Sequence, residues 1–401
     1  MIIKRIVSAL LLSAMLLSMV SGCGDDNDAG DVEYIYVPES IPFPILPRGL
    51  PHIGIRNSTM FYGDTVYFVA IILNPFDYYG VDDPLEFDFT WLHSGSIFSM
   101  NPDGTNLQEL PDYYFEPPPH EPDSVEGLLG GVYLSALAID HNGSLWVFEV
   151  KGVFDDDGNH IETYHVRKLS STGAELLSLD VTAFVPGIVN EIHPSFCVDK
   201  DGYVYFLFER SIIVINSTDA SSFSLSAGDH YAKRIIMLPD GNVAHYDGDR
   251  KIRVIDAMSQ AWGEEIDLPP GASDAVAGND EIPILFLIES SLMGINAETG
   301  EVVEFVNFTD RGISFNHLIN LAFLSDGRII AVTWTSGSVW KGISPYQLFL
   351  LSKIPVHEYQ ERTELTLFGY EIDSIVKNAV VEFNQTSKTY RIQMTDYAQF
   401  N

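Results

Sequence analysis

The sequence predicts an all-β fold, a β-propeller of about six four-stranded blades. Three observations support this prediction: a recurring strand pair, the strands that follow each pair, and the spacing of the repeats. The clearest strand pair is LSALAIDHNGSLWVFEV, Leu134–Val150. Two looser copies place Asp64 and Asp280 at the position of its turn glycine. The better copies align on four glycines, Gly143, Gly202, Gly241 and Gly327.

Each copy has apolar residues at every second position on both sides of the turn. Six residues before the glycine stand Leu137, Phe196, Ile235 and Leu321. Two residues after it stand Leu145, Val204, Val243 and Ile329. A period of two predicts strands with one face in a core. Asn-Gly and Asp-Gly at the turn favour a type I′ hairpin, with positive φ at both central residues.

A third strand follows every pair, and a fourth follows most of them. The third strands begin at Ser96, His165, Ser211, Lys251, Ser291 and Gln347. The turn position recurs at 202, 241, 280 and 327, so the spacings are 39, 39 and 47 residues. Four strands per repeat of this length predict a propeller over residues 32–357. Six blades are expected, and seven are the alternative.

The last blade lacks a clear fourth strand. QLFLL, Gln347–Leu351, is the third strand of that blade, and no further apolar stretch stands before Pro355. EYIYV, Glu33–Val37, is an unassigned stretch with strand composition near the other end of the propeller. We expect this stretch to pair with Gln347–Leu351 and close the ring, because closure removes two sheet edges.

The composition is strongly acidic. The 401 residues include 56 Asp and Glu against 22 Lys and Arg. Nucleic acid is therefore not an expected partner, because binding it requires cations that neutralise phosphates.

The N-terminus has the pattern of an export signal. Lys4 and Arg5 precede the apolar run Ile6–Val20, and small residues follow it. Val20-Ser21-Gly22-Cys23 then resembles the lipobox of bacterial lipoprotein signals. The resemblance implies removal of residues 1–22, lipidation of Cys23, and a protein anchored by lipid to the extracellular face of the cell membrane. Residues 23–31 are expected to be a flexible tether. An ordinary secretory signal with an incidental cysteine is the alternative.

Two long insertions interrupt the first blades, at Asn74–Gly95 and Pro111–Gly131. Both combine aromatic, acidic and proline residues without strand periodicity, which predicts loops, and long loops often bind ligands. Five aromatic residues are candidates for a surface on which a sugar or peptide stacks, namely Tyr78, Tyr79, Trp91, Tyr113 and Tyr114. The alternative is that these side chains hold their own loops in place.

The last forty residues have a different pattern. A strand within Glu364–Asp373 precedes a helix, which Asp373 or Ser374 caps, and Tyr390–Tyr397 forms a second strand. The expected apolar face of the helix contains Ile375, Val376, Ala379, Val380 and Phe383. One strand–helix–strand unit cannot bury a parallel sheet on both faces, so we expect the chain to be incomplete at its C-terminus.

This ending resembles the start of extracellular solute-binding proteins of bacterial ABC importers. The matching features are the strand TELTL, a helix ending in VEFN, and the strand YRIQM followed by DY. The resemblance implies that residues 363–401 are the N-terminal fragment of an α/β solute-binding domain. It also implies an ABC permease as partner and a small solute or glycan as ligand, with carbohydrate uptake as the process. The loop after the first strand, with Gly369, Tyr370 and Glu371, would then face the ligand.

No catalytic motif is apparent in the sequence, so we expect neither an enzyme nor a cofactor. Asp155–Asn159 is similar to a calcium loop, but its glycine is fourth and Val166 stands twelfth, so we predict a hairpin turn and no metal. Cys197 is expected to be a buried structural thiol. The sequence leaves two functions open: a lipid-anchored importer component, or a stand-alone propeller that binds a polysaccharide or a protein partner at the cell surface.

Overall fold

The protein is a ring of six four-stranded antiparallel blades followed by a strand–helix–strand unit. A computed structural model describes residues 34–42, 59–71, 95–113, 131–154, 160–185, 195–208, 210–227, 234–313, 318–334, 346–359, 362–370 and 372–396. The prediction of a β-propeller with six blades is confirmed.

The blades follow one another along the chain, except that the first strand belongs to the last blade. That strand is β1 (Tyr34–Pro42). The strands of the first two blades are β2 (Thr59–Tyr62), β3 (Thr65–Ile71), β4 (Gly95–Met100), β5 (Gln108–Glu109), β6 (Gly131–Ile139), β7 (Leu145–Phe154), β8 (His160–Leu169) and β9 (Glu175–Asp180). Those of the next two are β10 (Ser195–Val198), β11 (Tyr203–Phe208), β12 (Ser211–Asn216), β13 (Ser222–Ser226), β14 (Arg234–Met237), β15 (Val243–Tyr246), β16 (Lys251–Asp256) and β17 (Ala261–Asp267). The remaining ones are β18 (Ala272–Ala277), β19 (Ile284–Ile288), β20 (Ser291–Ile295), β21 (Val302–Asn307), β22 (Leu318–Phe323), β23 (Ile329–Trp334) and β24 (Tyr346–Pro355).

The innermost strands β2, β6, β10, β14, β18 and β22 contact one another in sequence, and β22 contacts β2 again. Six buried apolar clusters fill the six spaces between neighbouring blades. Between the second and third blades, the Phe206 ring lies 5.1 Å from that of Phe148 and 5.4 Å from that of Phe196. The hydrophobic core is therefore divided among the blade interfaces, as stacked sheets require.

Strand β1 closes the ring, as the sequence predicts. The sheet order of the last blade is β1-β24-β23-β22, so β1 pairs with the third strand of that blade. The Tyr36 side chain is buried, and its hydroxyl donates a hydrogen bond to the carbonyl oxygen of Gly327 at 3.2 Å. The Gln347 amide in β24 donates to the Ser40 hydroxyl.

The turns of the repeated pairs are not type I′, so that prediction is wrong. Gly143 has φ of 80°, but Asn142 is absent from the residues with positive φ. The Gly143 N–H donates to Asp140 O at 2.9 Å, and the Asp140 N–H donates to Ser144 O at 3.0 Å. This pattern is a type I turn followed by a left-handed glycine, and it repeats at Gly202, Gly241 and Gly327. Only the glycine needs positive φ.

The C-terminal unit consists of β25 (Thr363–Gly369), α1 (Ser374–Thr386) and β26 (Tyr390–Asp396). β25 and β26 pair in parallel, which confirms the predicted strand–helix–strand unit. Asp373 caps α1, because its carboxylate accepts from the Ile375 N–H at 2.7 Å. A short 3-10 turn, Val356–Glu358, precedes the unit.

The predicted apolar face of α1 is only partly correct. Ile375 is 77% exposed and Val376 41%, whereas Val380, Val381 and Asn384 are buried. The reason is that the C-terminal half of the helix contacts β26 and the propeller. In the part of the chain that the structure describes, no helix is long and apolar enough to cross a membrane.

Candidate functional site

The six inner strands enclose a channel along the axis of the ring. Its cavity has a volume of about 400 Å³, and each of the six inner strands contributes side chains to its wall. Cavities of this size are typical of small-molecule sites. The channel is therefore the first candidate site.

The wall of the channel is mostly apolar. Its larger side chains include Met60, Phe196, Ile235, Met237, Leu321 and Phe323. The thiol of Cys197 also faces this cavity, and burial raises its pKa to about 12. This agrees with the prediction of a buried thiol, and such a pKa leaves it protonated and unreactive at neutral pH.

The channel differs in charge from the rest of the molecule. About one residue in seven of the chain is Asp or Glu. Among the described residues that line the cavity there is no Asp or Glu, whereas Arg234 and His141 both contribute. The described lining of the ring interior is thus mostly apolar, with one arginine and one histidine, inside an acidic protein.

At one end of the channel, side chains pack against the glycines of the repeated turns. The Tyr62 ring lies against Gly143, where an added Cβ would be 2.4 Å from Cε1. His141 and Lys200 lie against Gly241 in the same way. These glycines have positive φ and no Cβ, so the side chains of Tyr62 and His141, which both line the cavity, pack directly against the turns of other blades.

At the other end, three polar residues occupy the same place in the aligned repeats, seven residues before the glycine: Ser195, Arg234 and Asn320. The Ser195 hydroxyl accepts from the Ile235 N–H of the next blade at 3.2 Å. The Asn320 amide donates to the Thr59 carbonyl of the next blade at 2.7 Å. The Arg234 guanidinium forms an ion pair with the Asp274 carboxylate, 3.9 Å away.

A buried aspartate organises the turn of the second blade. Asp140 Oδ1 accepts from the N–H groups of Asn142 and Ser144, at 3.0 and 2.9 Å. Its Oδ2 accepts from the Trp146 indole at 2.9 Å and the Lys168 ammonium at 3.0 Å. Burial alone would raise the pKa of Asp140, but these hydrogen bonds outweigh it and the pKa is lowered.

The third blade has a similar aspartate in a different electrostatic setting. Asp199 accepts from two turn N–H groups, at 2.9 and 2.8 Å, and from the Tyr205 hydroxyl at 2.6 Å. Val214 pairs with Tyr205 as Lys168 pairs with Trp146, so a valine stands in place of the ammonium. Burial raises the pKa of Asp199 despite its hydrogen bonds. Its role is to hold the turn.

The second candidate site is the junction between the propeller and the C-terminal unit. The side-chain amide of Asn384 in α1 is buried. Its nitrogen donates to the Thr309 carbonyl of the propeller at 3.1 Å and to the Ile392 carbonyl of β26 at 2.9 Å. Its oxygen accepts from the Ile392 N–H at 2.7 Å. One amide therefore joins the helix, the parallel strand pair and the propeller.

Charged groups surround this junction. Burial raises the pKa of Asp310 to about 6, although Arg391 and Arg311 oppose the shift. Arg391 pairs with Glu364, and the Arg311 guanidinium lies 5.3 Å from the centre of the Tyr359 ring. The Gln385 amide donates to the Gly312 carbonyl. Both units thus contribute hydrogen bonds and charges to the contact.

Of the residues predicted to bind ligands, the structure describes Tyr113 and Tyr370. Cys23, Tyr78, Tyr79, Trp91, Tyr114 and Glu371 lie outside the described residues, so their roles stay predictions. Tyr113 is buried; its hydroxyl donates to Glu149 at 2.9 Å, and the Arg167 guanidinium lies 5.7 Å from its ring centre. Its ring thus packs within the fold. Tyr370 is 60% exposed beyond the end of β25.

The described residues contain no group of three or more His, Cys, Asp or Glu side chains placed to hold a metal ion. The calcium-like segment 155–159 lies outside them.

No protein-family model matches the chain, and no curated protein matches it. Among solved structures, it is similar to a chain in the crystal structure of the mitotic checkpoint complex, with 11% identity, a TM-score of 0.42, and coverage of 83% of this chain and 97% of that one. It is also similar to the crystal structure of RRP9 WD40 repeats, with 12% identity, a TM-score of 0.33, and coverage of 50% and 57%. Similarity at this level transfers no function, and the propeller assignment rests on the strand pairing itself.

Proposed function

We propose that the chain is a lipid-anchored extracellular binding protein without enzymatic activity, in which the propeller holds an α/β unit that belongs to a solute-binding domain. Its partners would be the membrane, through lipid on Cys23, and an ABC permease. The solute class is carbohydrate. Three observations support the proposal. The first is the lipobox, and the second is the similarity of TELTL, VEFN and YRIQM to solute-binding proteins. The third is the contact between the propeller and the C-terminal strand–helix–strand unit.

The observation that supports this role most directly is the hydrogen bonding of Asn384. Its buried amide uses both N–H bonds and its oxygen, and its partners belong to both units. A unit joined only by a linker would need no such residue. The propeller therefore serves as the support from which the α/β unit is presented.

The Asn384→Asp variant tests this arrangement. The substituted oxygen would face the carbonyls of Thr309 and Ile392, so two hydrogen bonds become repulsive contacts. We expect amide hydrogens of α1 and β26 to exchange about 30-fold faster or more, which corresponds to about 2 kcal/mol of lost protection. The propeller strands should keep their exchange rates. Hydrogen exchange read by mass spectrometry measures both.

Asn378→Asp is the matched control, since it makes the same chemical change on an exposed position of the same helix. It should leave exchange within a few-fold of the wild type. Equal effects of the two variants, or none from Asn384→Asp, would show that the amide does not hold the units together.

Membrane attachment is tested separately. The chain with its first 23 residues, expressed in a bacterium that lipidates such signals, should partition into the detergent phase of a Triton X-114 extract. Cys23→Ser should move it to the aqueous phase, because the acyl chains provide the membrane affinity. A wild-type protein found in the aqueous phase would contradict lipid anchoring.

Solute binding is tested by thermal unfolding of the full chain with a panel of oligosaccharides. A bound sugar raises the midpoint according to its concentration relative to Kd. We expect the rise to disappear in Tyr370→Ala. A rise that persists in this variant favours the other function, a stand-alone propeller that binds a polysaccharide, and no rise with any sugar contradicts carbohydrate as the solute class.

A further inference from the structure

We infer that the junction between the propeller and the C-terminal unit is pH-sensitive, and that protonation of Asp310 in mildly acidic medium tightens it. The inference rests on the proposed function, in which the propeller supports the α/β unit, and adds a control of that support by pH. Three observations support it: the place of Asp310 in the junction, the lack of a partner for its carboxylate, and the charges around it.

Asp310 lies in the propeller turn that contacts α1. The Thr309 carbonyl of this turn accepts a hydrogen bond from the Asn384 amide at 3.1 Å. The Gly312 carbonyl of the same turn accepts from the Gln385 amide. A Cβ added to Gly312 would lie 2.8 Å from Cγ of Gln385, so the turn and the helix are in close contact. Asp310 therefore stands between two points at which the helix is attached.

The carboxylate of Asp310 has no partner of its own. Within the described structure it forms neither a hydrogen bond nor an ion pair. The two guanidinium groups of the junction are engaged elsewhere. Arg391 pairs with Glu364, and Arg311 lies 5.3 Å from the centre of the Tyr359 ring. A carboxylate that is largely removed from water and has no hydrogen bond is costly in its ionised form.

Charges face Asp310 from each element that packs around it. Arg391 on β26 and Arg311 in the same turn favour the ionised carboxylate. Glu364 on β25 and Glu304 on β21 oppose it. Burial is the largest influence, and it raises the pKa of Asp310 to about 6. The neutral form of this side chain therefore fits the closed junction better than the ionised form.

The direction of the effect follows from this difference. When the C-terminal unit is released, water reaches the carboxylate and its pKa falls toward the ordinary value of 3.8. The closed junction is thus favoured in acid, and the advantage is lost as the pH rises through about 6. The two pKa values limit the effect on the closing equilibrium to about 100-fold. Asp310 belongs to the propeller and keeps part of its burial, so we expect about fivefold to tenfold between pH 7.5 and pH 5.

Hydrogen exchange of the full chain, read by mass spectrometry at pH 5 and pH 7.5, tests the inference. Protection factors correct for the intrinsic effect of pH on exchange. In the wild type, α1 and β26 should be about fivefold to tenfold better protected at pH 5. In Asp310→Asn, whose side chain stays neutral, their protection should differ less than about twofold between the two pH values. The propeller strands, read in the same experiment, show that the variant is folded.

Asp280→Asn is the matched control, because it makes the same change on an exposed residue in the β18–β19 turn. It should keep the pH dependence of the wild type. His357→Gln should keep it as well, which excludes the histidine of the preceding 3-10 turn as the source. Glu364→Gln removes a carboxylate that opposes ionisation of Asp310 and leaves Arg391 without its counter-charge, so the transition should move to lower pH.

The outcomes separate this inference from the proposed function. Equal protection of α1 and β26 at both pH values in the wild type, or an unchanged pH dependence in Asp310→Asn, would overturn the pH-sensitive junction. If Asn384→Asp still loosens α1 and β26 in that case, the propeller supports the unit and only the control by Asp310 is wrong. If Asn384→Asp has no effect, the support itself is wrong, and the inference is wrong with it.

Discussion

The Asp140→Asn variant is expected to unfold with a free energy about 2–4 kcal/mol lower than the wild type. In the wild type, Oδ2 accepts from the Trp146 indole and the Lys168 ammonium. An asparagine that keeps its oxygen on the turn N–H groups would direct an NH2 group toward these two donors. The buried indole N–H would lose its acceptor, and the ammonium would lose its counter-charge.

Asp199→Asn is the control in the next blade, and we expect it to cost about 1 kcal/mol or less. Its oxygen can keep the two turn hydrogen bonds, and the Tyr205 hydroxyl can rotate to accept from the new NH2 group. Urea unfolding at neutral pH compares the two variants. If both variants lose the same free energy of unfolding, the hydrogen bonds from Lys168 and Trp146 do not account for the stability of the Asp140 turn.

The two aspartates should also respond to acid in opposite directions. The pKa of Asp140 is lowered, so its carboxylate stabilises the fold above the pKa of an unfolded aspartate, and this stabilisation is lost as acid protonates it. The pKa of Asp199 is raised, so this group favours the fold at low pH and loses that contribution as pH rises through its folded pKa. The difference in unfolding free energy between the wild type and each variant, measured between pH 3 and 7, should show these opposite slopes.

The second large effect is expected from His245: the free energy of unfolding should fall by about 3 kcal/mol as the pH is lowered from 6.5 to 4. Its side chain has no exposed surface, and neither ring nitrogen has a hydrogen-bond partner within the described structure. Burial and the nearby Arg253 lower its pKa from 6.5 to about 4, although Asp247 opposes the shift. Between these two pKa values the unfolded chain binds a proton at His245 and the folded chain does not. The free energy of unfolding therefore decreases as the pH is lowered from 6.5 to 4, and this contribution is constant below pH 4.

His245→Phe should remove this dependence and stabilise the protein at pH 5. The phenyl ring retains the aromatic contact with Trp262, whose ring centre lies 5.7 Å from the imidazole, and it buries no unsatisfied nitrogen. Thermal or urea unfolding at pH 4, 5, 6 and 7 measures the slope. His357→Phe, on an exposed residue, is the control. An unchanged slope in His245→Phe would assign the acid sensitivity to other groups.

The strand pattern of the propeller was predictable because it is local. The period of two around Gly143 and its equivalents determines which positions are apolar, and the closing role of β1 followed from the missing fourth strand of the last blade. The turn type was not predictable from Asn-Gly alone. The side chain of Asp140, which accepts from two N–H groups of the turn, stabilises a longer loop than the type I′ turn has.

The pairs of an aspartate with an aromatic donor, Asp140–Trp146 and Asp199–Tyr205, can be recognised in the aligned repeats. Where an aspartate stands three residues before the glycine, Trp146 or Tyr205 stands three residues after it. Where Leu238 stands before, Ala244 stands after. The hydrogen bonds of Asp140 and Asp199 explain this association, because a buried carboxylate requires a donor on the facing strand.

The junction and the channel could not be predicted from the sequence. Asn384 and Thr309 are 75 residues apart, and nothing local to the helix marks its asparagine as a partner of a propeller loop. The apolar period predicted Ile375 on the buried face, but the direction from which β26 and the propeller approach decides which face is covered. The channel is formed by six strands distributed along the chain, and its volume depends on how the blades tilt.

The pairing of β1 with β24 has a consequence for synthesis. Ser40 and Gln347, which share a hydrogen bond, are 307 residues apart, so a growing chain exposes its first strand long before the partner exists. Ring closure is therefore a late kinetic event with a large loop-closure entropy. Until then the backbone groups of β1 can pair with the edges of other strands. A nascent chain that stalls before Tyr346 therefore keeps an unpaired, aggregation-prone strand, which is a substrate for chaperones.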